Sequence, residues 1–200
     1  GSDYTTTSGT ITFLAGETTA TVTVLVLNDS VFENPEAFTV TLGATTGGVT
    51  VADGLGVGTI NDNDALPAFA INNVTVTEGT DATITFTVTK TGATSQASSV
   101  DYSVAQDSAL TPGDYTAGTS PLSGTLNFAP GETTKVVRIE LVNDSMVEQL
   151  QRFEFDLSSP VNATIANDAW VTIVDDDGAS TTPTSVIFAS NGGYYGTFAE

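Results

Sequence analysis

The sequence predicts an all-β fold made of tandem modules, and three observations support this prediction. Apolar and polar residues alternate over short runs, which is the period of a half-buried strand. Glycine, proline, asparagine and aspartate separate the runs, as turns require. The motifs of the first third of the chain also return later at a nearly constant offset, which indicates a repeated domain type.

The first module is predicted over residues 1–64. Its early strands are residues 10–13 and 20–27, and alternation places Val22, Val24 and Val26 on the inward face of the second. We expect this strand to be half-buried, with its three valines in the core.

Further along the first module, Pro35 rules out a continuous helix, and strands follow over residues 37–42 and 57–60. The last of these strands leads directly into the acidic segment Asp62–Asp64. The first module therefore ends in carboxylates.

A short linker, residues 65–68, precedes a second module that we predict as complete over residues 69–178. Ile84, Phe86 and Val88 alternate inward along one of its strands. Its predicted strands include residues 69–77, 82–88, 100–104 and 169–173, with a long loop at 107–116.

The repeat is visible residue by residue at an offset of roughly 113 residues. Asp3-Tyr4 returns as Asp114-Tyr115, and Asn28-Asp29-Ser30 returns as Asn143-Asp144-Ser145. The apolar pattern returns as well, because Val137, Ile139 and Leu141 repeat the three valines of the first module. Core and acidic positions are thus copied together.

The same register predicts that the first module lacks its opening strands, since nothing before Asp3 matches residues 69–102. Residues 179–200 read as a linker followed, over 185–200, by the opening strand of a third module. A strand of this kind on its own leaves backbone groups unpaired. We therefore expect intermolecular strand exchange, in which the 185–200 tail adds to the truncated module of a neighbouring molecule.

Composition excludes several classes of function. The 24 acidic residues outnumber the 4 basic ones, giving a formal charge of −20, so nucleic acid and anionic membranes are poor partners. The chain has no cysteine and no histidine, which excludes disulfides, thiolate zinc sites and imidazole ligands. Its apolar runs are also too short for a membrane-spanning helix, so we do not expect the chain to be embedded in a membrane.

Three adjacent carboxylates, Asp175–Asp177, end the last strand of the second module, and Asp62–Asp64 hold the same place in the first. Like charges packed together repel unless a cation lies among them, and this chain has few lysines and arginines. Any single cluster is also explained by ordinary turn formers. The four separated acidic segments of the second module favour a hard divalent cation instead.

Four motifs in this order resemble the Calx-beta family: Gly113–Tyr115, Ser123–Thr133, Leu141–Glu148 and Val174–Asp177. The resemblance implies an immunoglobulin-like β-sandwich of about seven strands in each module. It also implies tandem repeats of a large bacterial-type surface protein, and Ca²⁺ as the bound ion.

In calcium-binding members of this family, the ligands lie at one end of the sandwich. Carried onto the second module, they are Glu78, Asp114, Asp144, Glu148, Asp175, Asp176 and Asp177. In the first module they are Asp3, Asp29, Glu33, Glu36, Asp62 and Asp64.

This chain departs from the family pattern at several of these positions. Gln151 replaces the acid that matches Glu36, Asn63 replaces one terminal acid, and the first module has no match for Glu78. Because Ca²⁺ affinity falls with the number of carboxylates, we expect fewer ions and weaker binding than in cytosolic calcium sensors.

These features predict a calcium-binding structural or adhesion module of a larger extracellular or cell-surface protein. Calcium ions and neighbouring modules of the same chain would be its partners, and Ca²⁺ would rigidify the sandwich ends and the inter-module junctions. The alternatives are a metal-independent spacer, an adhesion module that binds a protein or glycan ligand, and calcium-triggered regulation as in sodium/calcium exchangers.

We do not expect an enzyme. The serines have no histidine to activate them, and Lys90 and Lys135 are expected in solvent. A glycosidase needs an acid and a base across a cleft, whereas these acids gather at a sandwich end. Trp170 and Tyr194-Tyr195 could form a sugar platform, but a lone tryptophan in a strand is more often part of the core.

Overall fold

The structure is a computed structural model that describes residues 3–178. Within this range every regular element is a β-strand, as predicted, and no helix is long and apolar enough to cross a membrane. The tail at residues 185–200, predicted as the opening strand of a third module and as the source of strand exchange, lies outside the described residues.

The first module contains five short strands. They are β1 (Tyr4–Thr5), β2 (Leu25–Val26), β3 (Val31–Phe32), β4 (Glu36–Thr41) and β5 (Leu55–Ile60). β1 pairs with β2, and β4 pairs with β5, both antiparallel.

The second module contains eleven strands, most of them in two five-stranded sheets. They are β6 (Ala68–Ile71), β7 (Val74–Thr77), β8 (Thr83–Thr91), β9 (Ala93–Thr94), β10 (Ser98–Gln106), β11 (Tyr115–Ala117), β12 (Ser123–Phe128), β13 (Thr134–Leu141), β14 (Gln151–Val161), β15 (Thr164–Ile165) and β16 (Ala169–Val174). One sheet has the order β12-β10-β14-β16-β7 and the other the order β11-β13-β8-β6-β15.

A single hydrophobic core holds the two sheets together, and all of its residues come from the second module. The ring of Phe86 lies 4.3 Å from that of Phe155, which stacks on Tyr102 at 5.3 Å. Inward alternation is confirmed for Ile84, Phe86 and Val88, all fully buried. The architecture is the immunoglobulin-like sandwich that the sequence predicted.

Residues 69–77 form two strands rather than the single strand predicted. The chain breaks at Asn72-Asn73, so that β6 pairs antiparallel with β8 in one sheet and β7 pairs parallel with β16 in the other. The side chain of Asn73 secures this crossing, because its Oδ1 accepts the backbone N–H of Trp170 at 2.9 Å. The crossing carries the chain to Glu78, whose N–H donates to the Val174 carbonyl at 3.0 Å.

The early strands predicted in the first module are mostly wrong. Residues 10–13 and 20–24 form no strand, and Val22 is exposed where the sequence predicted burial. Phe13 is 55% exposed, whereas its repeat counterpart Phe128 is 1% exposed. In the second module, β10 pairs with β12 and β8 pairs with β13, whereas within residues 3–178 no strand flanks residues 10–13 or 20–24.

Two side chains of the second module lie elsewhere than expected. Lys90, predicted in solvent, is 3% exposed, with its Nζ 3.2 Å from Ser98 Oγ and 5.7 Å from the centre of the Phe128 ring. Trp170 is 42% exposed on the outer face of β16 rather than packed in the core. Val171 and Ile173, which follow Trp170 in the same strand, face inward and are buried in the core.

The two modules meet through a short parallel bridge between β3 and β9, in which Phe32 pairs with Thr94. The Phe32 carbonyl accepts the Ser95 N–H at 3.2 Å and the Thr94 hydroxyl at 3.1 Å. Beside it, Pro67 of the linker packs closely on Gly92, whose φ of +94° suits glycine. The junction is therefore built from backbone pairing and close contact.

Candidate metal-binding poles

The acidic segments of the second module lie where its strands end. β7, β13 and β16 all run toward one end of the sandwich, and β14 starts there. We call this end the second pole, and it carries Glu78, Asp114, Asp144, Glu148, Asp175, Asp176 and Asp177.

The Asp114-Tyr115 pair reaches the pole because its tyrosine anchors the core. Tyr115 is fully buried and stacks on Phe153 at 4.3 Å. The Asp114 carbonyl accepts the Val142 N–H at 2.9 Å, and its Oδ2 accepts the Leu110 N–H at 2.6 Å. A core residue thus fixes the position of an acid at the sandwich end.

Backbone amides hold the side chains of two further acids of the pole. Asp144 Oδ1 accepts the Met146 N–H at 2.7 Å, which forms a tight turn after β13. Asp175 Oδ2 accepts the Glu148 N–H at 3.2 Å, and its Oδ1 accepts the Asp177 N–H at 3.3 Å. These bonds join the loop between β13 and β14 to the acidic segment after β16.

Glu78 lies at the centre of the electrostatics of this pole. It is 2% exposed, and its burial raises its pKa to about 7, with repulsion from neighbouring acids adding to the shift. These neighbours are Glu148, Asp144, Asp175 and Asp114. No basic group contributes to the shift, so a negative charge on Glu78 is costly in the metal-free protein.

The same causes act on two other acids of the second pole. Burial, then repulsion from Asp114, raises the pKa of Glu148. Burial and the neighbouring Asp176 and Asp175 raise the pKa of Asp177. Repulsion is thus shared across the pole.

Buried acceptors without donors also mark the second pole. Within residues 3–178, only three buried side-chain atoms have no hydrogen-bond partner: Tyr115 OH, Gln151 Oε1 and Asp177 Oδ2. A buried acceptor left unpaired costs free energy unless a donor or a cation reaches it. The oxygens of Gln151 and Asp177 are of the type that Ca²⁺ prefers, so the residues present fit this ion.

Gly79 leaves space for one of the acids. Its φ is +63°, and a Cβ at this position would lie 1.9 Å from Asp176 Oδ2. Any other residue would push this carboxylate away. The backbone at Gly79, in the turn after β7, therefore lies directly against the Asp176 carboxylate.

The first module repeats this arrangement at its own end, which we call the first pole. A cavity of about 220 Å³ is lined by all six predicted acids, Asp3, Asp29, Glu33, Glu36, Asp62 and Asp64. The Val31 N–H donates to Asp29 Oδ1 at 2.8 Å, and the Glu33 N–H donates to Asp62 Oδ2 at 3.2 Å. These bonds match those of Asp144 and Asp175 in the second pole.

The acids of the first pole also interact with one another. A hydrogen bond with Asp3, together with its charge, raises the pKa of Glu36. Burial, then repulsion from Asp62 and Asp29, raises the pKa of Asp64. Tyr4, whose ring lies 5.1 Å from that of Phe38, repeats the contact of Tyr115 with Phe153.

The structure thus brings each predicted set of acids to one end of its module, although none of these residues is shown to bind a metal. Within residues 3–178, no three or more acids are placed closely enough to hold a metal ion. The thirteen ligand assignments stay predictions.

Comparison with known proteins decides the family. The model of the Calx-beta domain matches residues 1–65 and again residues 60–177, so its two matches together cover most of the chain. The chain belongs to the Calx-beta family. Calx-beta is a family of binding and structural domains rather than catalytic ones, so the two modules of this chain are not catalytic domains.

Solved structures agree with this assignment. The apo-form Calx CBD1 domain superimposes with a TM-score of 0.51 at 26% identity, covering 56% of this chain and all of that domain. CBD12 from CALX1.2 superimposes with a TM-score of 0.50 at 27% identity, covering 55% of this chain and 46% of its own. Both matches support the Calx-beta sandwich.

Relatives by sequence are matrix and adhesion proteins of animals. Extracellular matrix protein 3 of Lytechinus variegatus is 36% identical over 67% of this chain and 4% of its own length. Adhesion G-protein coupled receptor V1 of Danio rerio is 27% identical over 80% of this chain and 3% of its own, and FRAS1-related extracellular matrix protein 2 of Homo sapiens is 28% identical over 80% and 5%. The chain thus spans a small part of each, and the bacterial-type parent stays a prediction.

Two residues of the second pole were not among the predicted ligands. Gln151 was noted only as a replacement for an acid, and Gly79 was assigned only to a turn. Gly79 could have been found from its place directly after Glu78, where a crowded turn requires glycine. Nothing in the sequence indicates that the Gln151 oxygen is buried without a donor.

Proposed function

We propose that this Calx-beta chain is a calcium-binding structural or adhesion segment of a larger extracellular or cell-surface protein. Ca²⁺ would neutralise both poles and rigidify the sandwich ends and the junction between the modules. The names of the relatives support an extracellular matrix or adhesion setting for the parent protein.

The observation that carries the calcium proposal is Glu78, a buried carboxyl whose charged neighbours are all acids. A structural glutamate in such a place would be expected to have a lysine or arginine beside it. The one ion pair within residues 3–178, between Lys135 and Glu132, belongs to the opposite end of the second module. A divalent cation would remove the repulsion that the chain itself leaves in place.

Weaker binding than in cytosolic sensors is part of the proposal, because Gln151 and Asn63 reduce the number of carboxylates. Within residues 3–178, no acid of the first pole matches Glu78, so we expect the first pole of this 200-residue chain to bind Ca²⁺ more weakly than the second. Its connection to the junction runs through residues 31–32, which lie between Asp29 and Glu33 and pair with β9.

Calorimetric titration of the full chain with Ca²⁺, together with thermal unfolding in Ca²⁺ and in chelator, tests this function. A ligand that binds only the folded state raises the free energy of unfolding by RT ln(1 + [L]/Kd), about 2.7 kcal/mol at a hundredfold excess over Kd, and so raises the melting temperature. Mg²⁺ at the same concentration serves as the control for charge alone. No heat of binding and an unchanged melting temperature in saturating Ca²⁺ would refute the calcium proposal.

The alternative is a metal-independent adhesion module that binds a protein or glycan through a sheet face. Its supporting observation is Trp170, which is exposed and lies directly across from Glu154 in the adjacent strand. Binding of a ligand that is lost in Trp170→Ala but unchanged by chelator would favour this function. Retained binding in that variant would remove the support for the sheet face.

Strand exchange through the 185–200 tail is a further part of the proposal. Within residues 3–178, β5 pairs only with β4, whereas the matching strand β16 carries β7 along its other edge. This free edge is the site at which a tail strand would add. A monomer by light scattering, at concentrations well above those of the other experiments, would exclude the exchange.

A further inference from the structure

An exposed apolar segment lies on the second pole beside the acids. Met146 and Val147 follow the tight turn at Asp144 and are 62% and 58% exposed. Leu150, close by in the chain, is 55% exposed. These side chains cannot coordinate Ca²⁺, because they carry no carboxylate or carbonyl oxygen.

The repeat shows what the same segment does in the first module. Met146 and Val147 correspond to Val31 and Phe32, which form β3 and are only half-buried. β3 pairs in parallel with β9 of the following module. The counterpart of the exposed segment is therefore part of the junction.

The backbone of both segments is held in the same way at each end. Before the segment, an aspartate accepts the first N–H, at 2.8 Å for Asp29 and 2.7 Å for Asp144. After it, the next N–H donates to the terminal acidic segment, at 3.2 Å in each module. The backbone around residues 146–147 is therefore held by the same kinds of hydrogen bond as that around β3, the strand that forms the junction between the modules.

The partner of the first segment is an uncharged loop with donors. In residues 92–95, the hydroxyl of Thr94 and the N–H of Ser95 both donate to the Phe32 carbonyl. Glycine, alanine, threonine and serine make up this loop, so no charge of its own meets the acidic pole. Within residues 3–178, the corresponding Val147 carbonyl accepts no hydrogen bond.

We propose that residues 146–147 are the docking strand for a further Calx-beta module, which pairs with them through its loop equivalent to residues 92–95. The junction between the two modules described would then be one step of a repeating contact. Each pole would hold the start of the next module by parallel backbone pairing. This contact does not depend on a metal ion, so it goes beyond the calcium proposal and stands apart from it.

A three-module chain tests the proposal, with residues 1–184 followed by a second copy of residues 68–178, which keeps the natural linker. The protein has no cysteine, so an introduced pair reports proximity alone. The Cα atoms of residues paired across adjacent strands lie about 5 Å apart. This distance is within the 4.4–6.8 Å separation that a disulfide needs. We pair Val147→Cys with Thr94→Cys in the appended copy.

The positive control pairs Phe32→Cys with Thr94→Cys in the first copy, where the contact is described. The negative control pairs Leu150→Cys, equally exposed, with Thr94→Cys in the appended copy. We expect the test pair to form its disulfide about as fast as the positive control, and at least about tenfold faster than the negative one. A rate equal to that of the negative control would overturn the proposal.

Hydrogen exchange gives a second readout without cysteines. Val147→Asp should speed exchange of the Ser95 amide in the appended copy by about tenfold or more, and leave the Ser95 amide of the first copy unchanged. Phe32→Asp should do the reverse. Both experiments are repeated in chelator: disulfide formation without any calcium response would refute the calcium function alone, and a calcium response without disulfide formation would refute the docking strand alone.

Discussion

The backbone N–H of Glu148 donates to Oδ2 of Asp175 over 3.2 Å, and this bond ties the loop after β13 to the acidic segment after β16. Glu33 and Asp62 make the same bond at the same distance in the first module. In each module this bond fixes one carboxylate of the terminal acidic segment, next to other acids of the pole that repel one another. A fixed carboxylate among repelling ones is a suitable first ligand for a cation.

Asp175→Asn should therefore separate structure from metal binding. The amide oxygen can still accept the Glu148 N–H, so this bond to the loop is kept, while one charge and the bond from the Asp177 N–H to the other oxygen are lost. We expect the melting temperature in chelator to rise slightly, because repulsion falls, and the Ca²⁺ affinity to fall by about tenfold or more. Glu140→Gln, on the exposed face of β13, is the control with the same charge change. Equal effects of the two substitutions on calorimetric titration would contradict the role of Asp175.

Glu78 predicts how the stability of the metal-free protein depends on pH. Its folded-state pKa of about 7 lies above the ordinary value of 4.5, so the folded protein holds this proton more tightly than the unfolded chain. Its contribution to stability is complete below pH 4.5 and is lost as the pH rises toward 7. At about 1.4 kcal/mol for each pKa unit, the loss reaches at most about 3 kcal/mol.

In chelator, the melting temperature should therefore fall between pH 4.5 and 7. Glu78→Gln should flatten this part of the profile and raise the melting temperature at pH 7.5, and it should also reduce the response to Ca²⁺. Thermal unfolding across this range measures both effects. A Glu78→Gln profile that stays parallel to the wild-type one would show that another acid is responsible.

Substitution of Gln151 by glutamate tests the second pole in the opposite direction, because it adds a negative charge rather than removing one. Burial raises the pKa of Glu148, and a hydrogen bond from the Gln151 side chain offsets part of this rise, while Gln151 Oε1 is buried without a donor. Gln151→Glu adds the carboxylate that Glu36 supplies in the first module. We expect a Ca²⁺ affinity about three- to tenfold higher and a lower melting temperature in chelator, since the charge joins a repelling set.

Gln151→Met should do the reverse for calcium. It removes the buried oxygen, so Ca²⁺ affinity should fall while the melting temperature in chelator is kept. Gln149→Met, at a neighbouring exposed position, should change neither quantity. If Gln151→Met instead lowers stability and leaves Ca²⁺ titration unaltered, the side chain has only a structural role.

Much of this fold and of its poles follows from the sequence, and the exceptions share a cause. The resemblance predicted Asp114 at the sandwich end, and the structure has it there because Tyr115 beside it is buried in the core; the same Asp-Tyr pair recurs at Asp3-Tyr4. The exposure of Val22 could not be foreseen, because an alternating pattern shows which side faces inward but not whether a second sheet covers it. Lys90 lies near the end of β8 at one of its inward-facing positions. Its burial depends on contacts with Phe128 and Ser98, which belong to other strands.

Gly79→Ala and Gly131→Ala form a matched pair. Both glycines have positive φ, +63° and +77°, so each substitution costs about 1–2 kcal/mol of backbone strain. A Cβ at Gly131 meets nothing within 4 Å, whereas at Gly79 it overlaps Asp176, whose side chain is free to swing outward. We expect similar losses of stability in chelator, but a fall in Ca²⁺ affinity only for Gly79→Ala. A similar fall in both would mean that Asp176 is not needed at the second pole.

The repeat also predicts that replacing phenylalanine by alanine has different effects on stability at two equivalent positions. Phe128 and Phe13 hold the same place in the two modules, but Phe128 is 1% exposed, and its ring lies 4.9 Å from that of Phe69. Phe128→Ala should cost about 3–5 kcal/mol, the usual range for a buried phenylalanine. Phe13→Ala should change the free energy of unfolding by no more than about 0.5 kcal/mol, because among the described residues no opposing sheet covers it. Chemical denaturation measures both, and a loss of several kcal/mol for Phe13→Ala would show that the first module has an apolar covering in solution, the outcome that strand exchange requires.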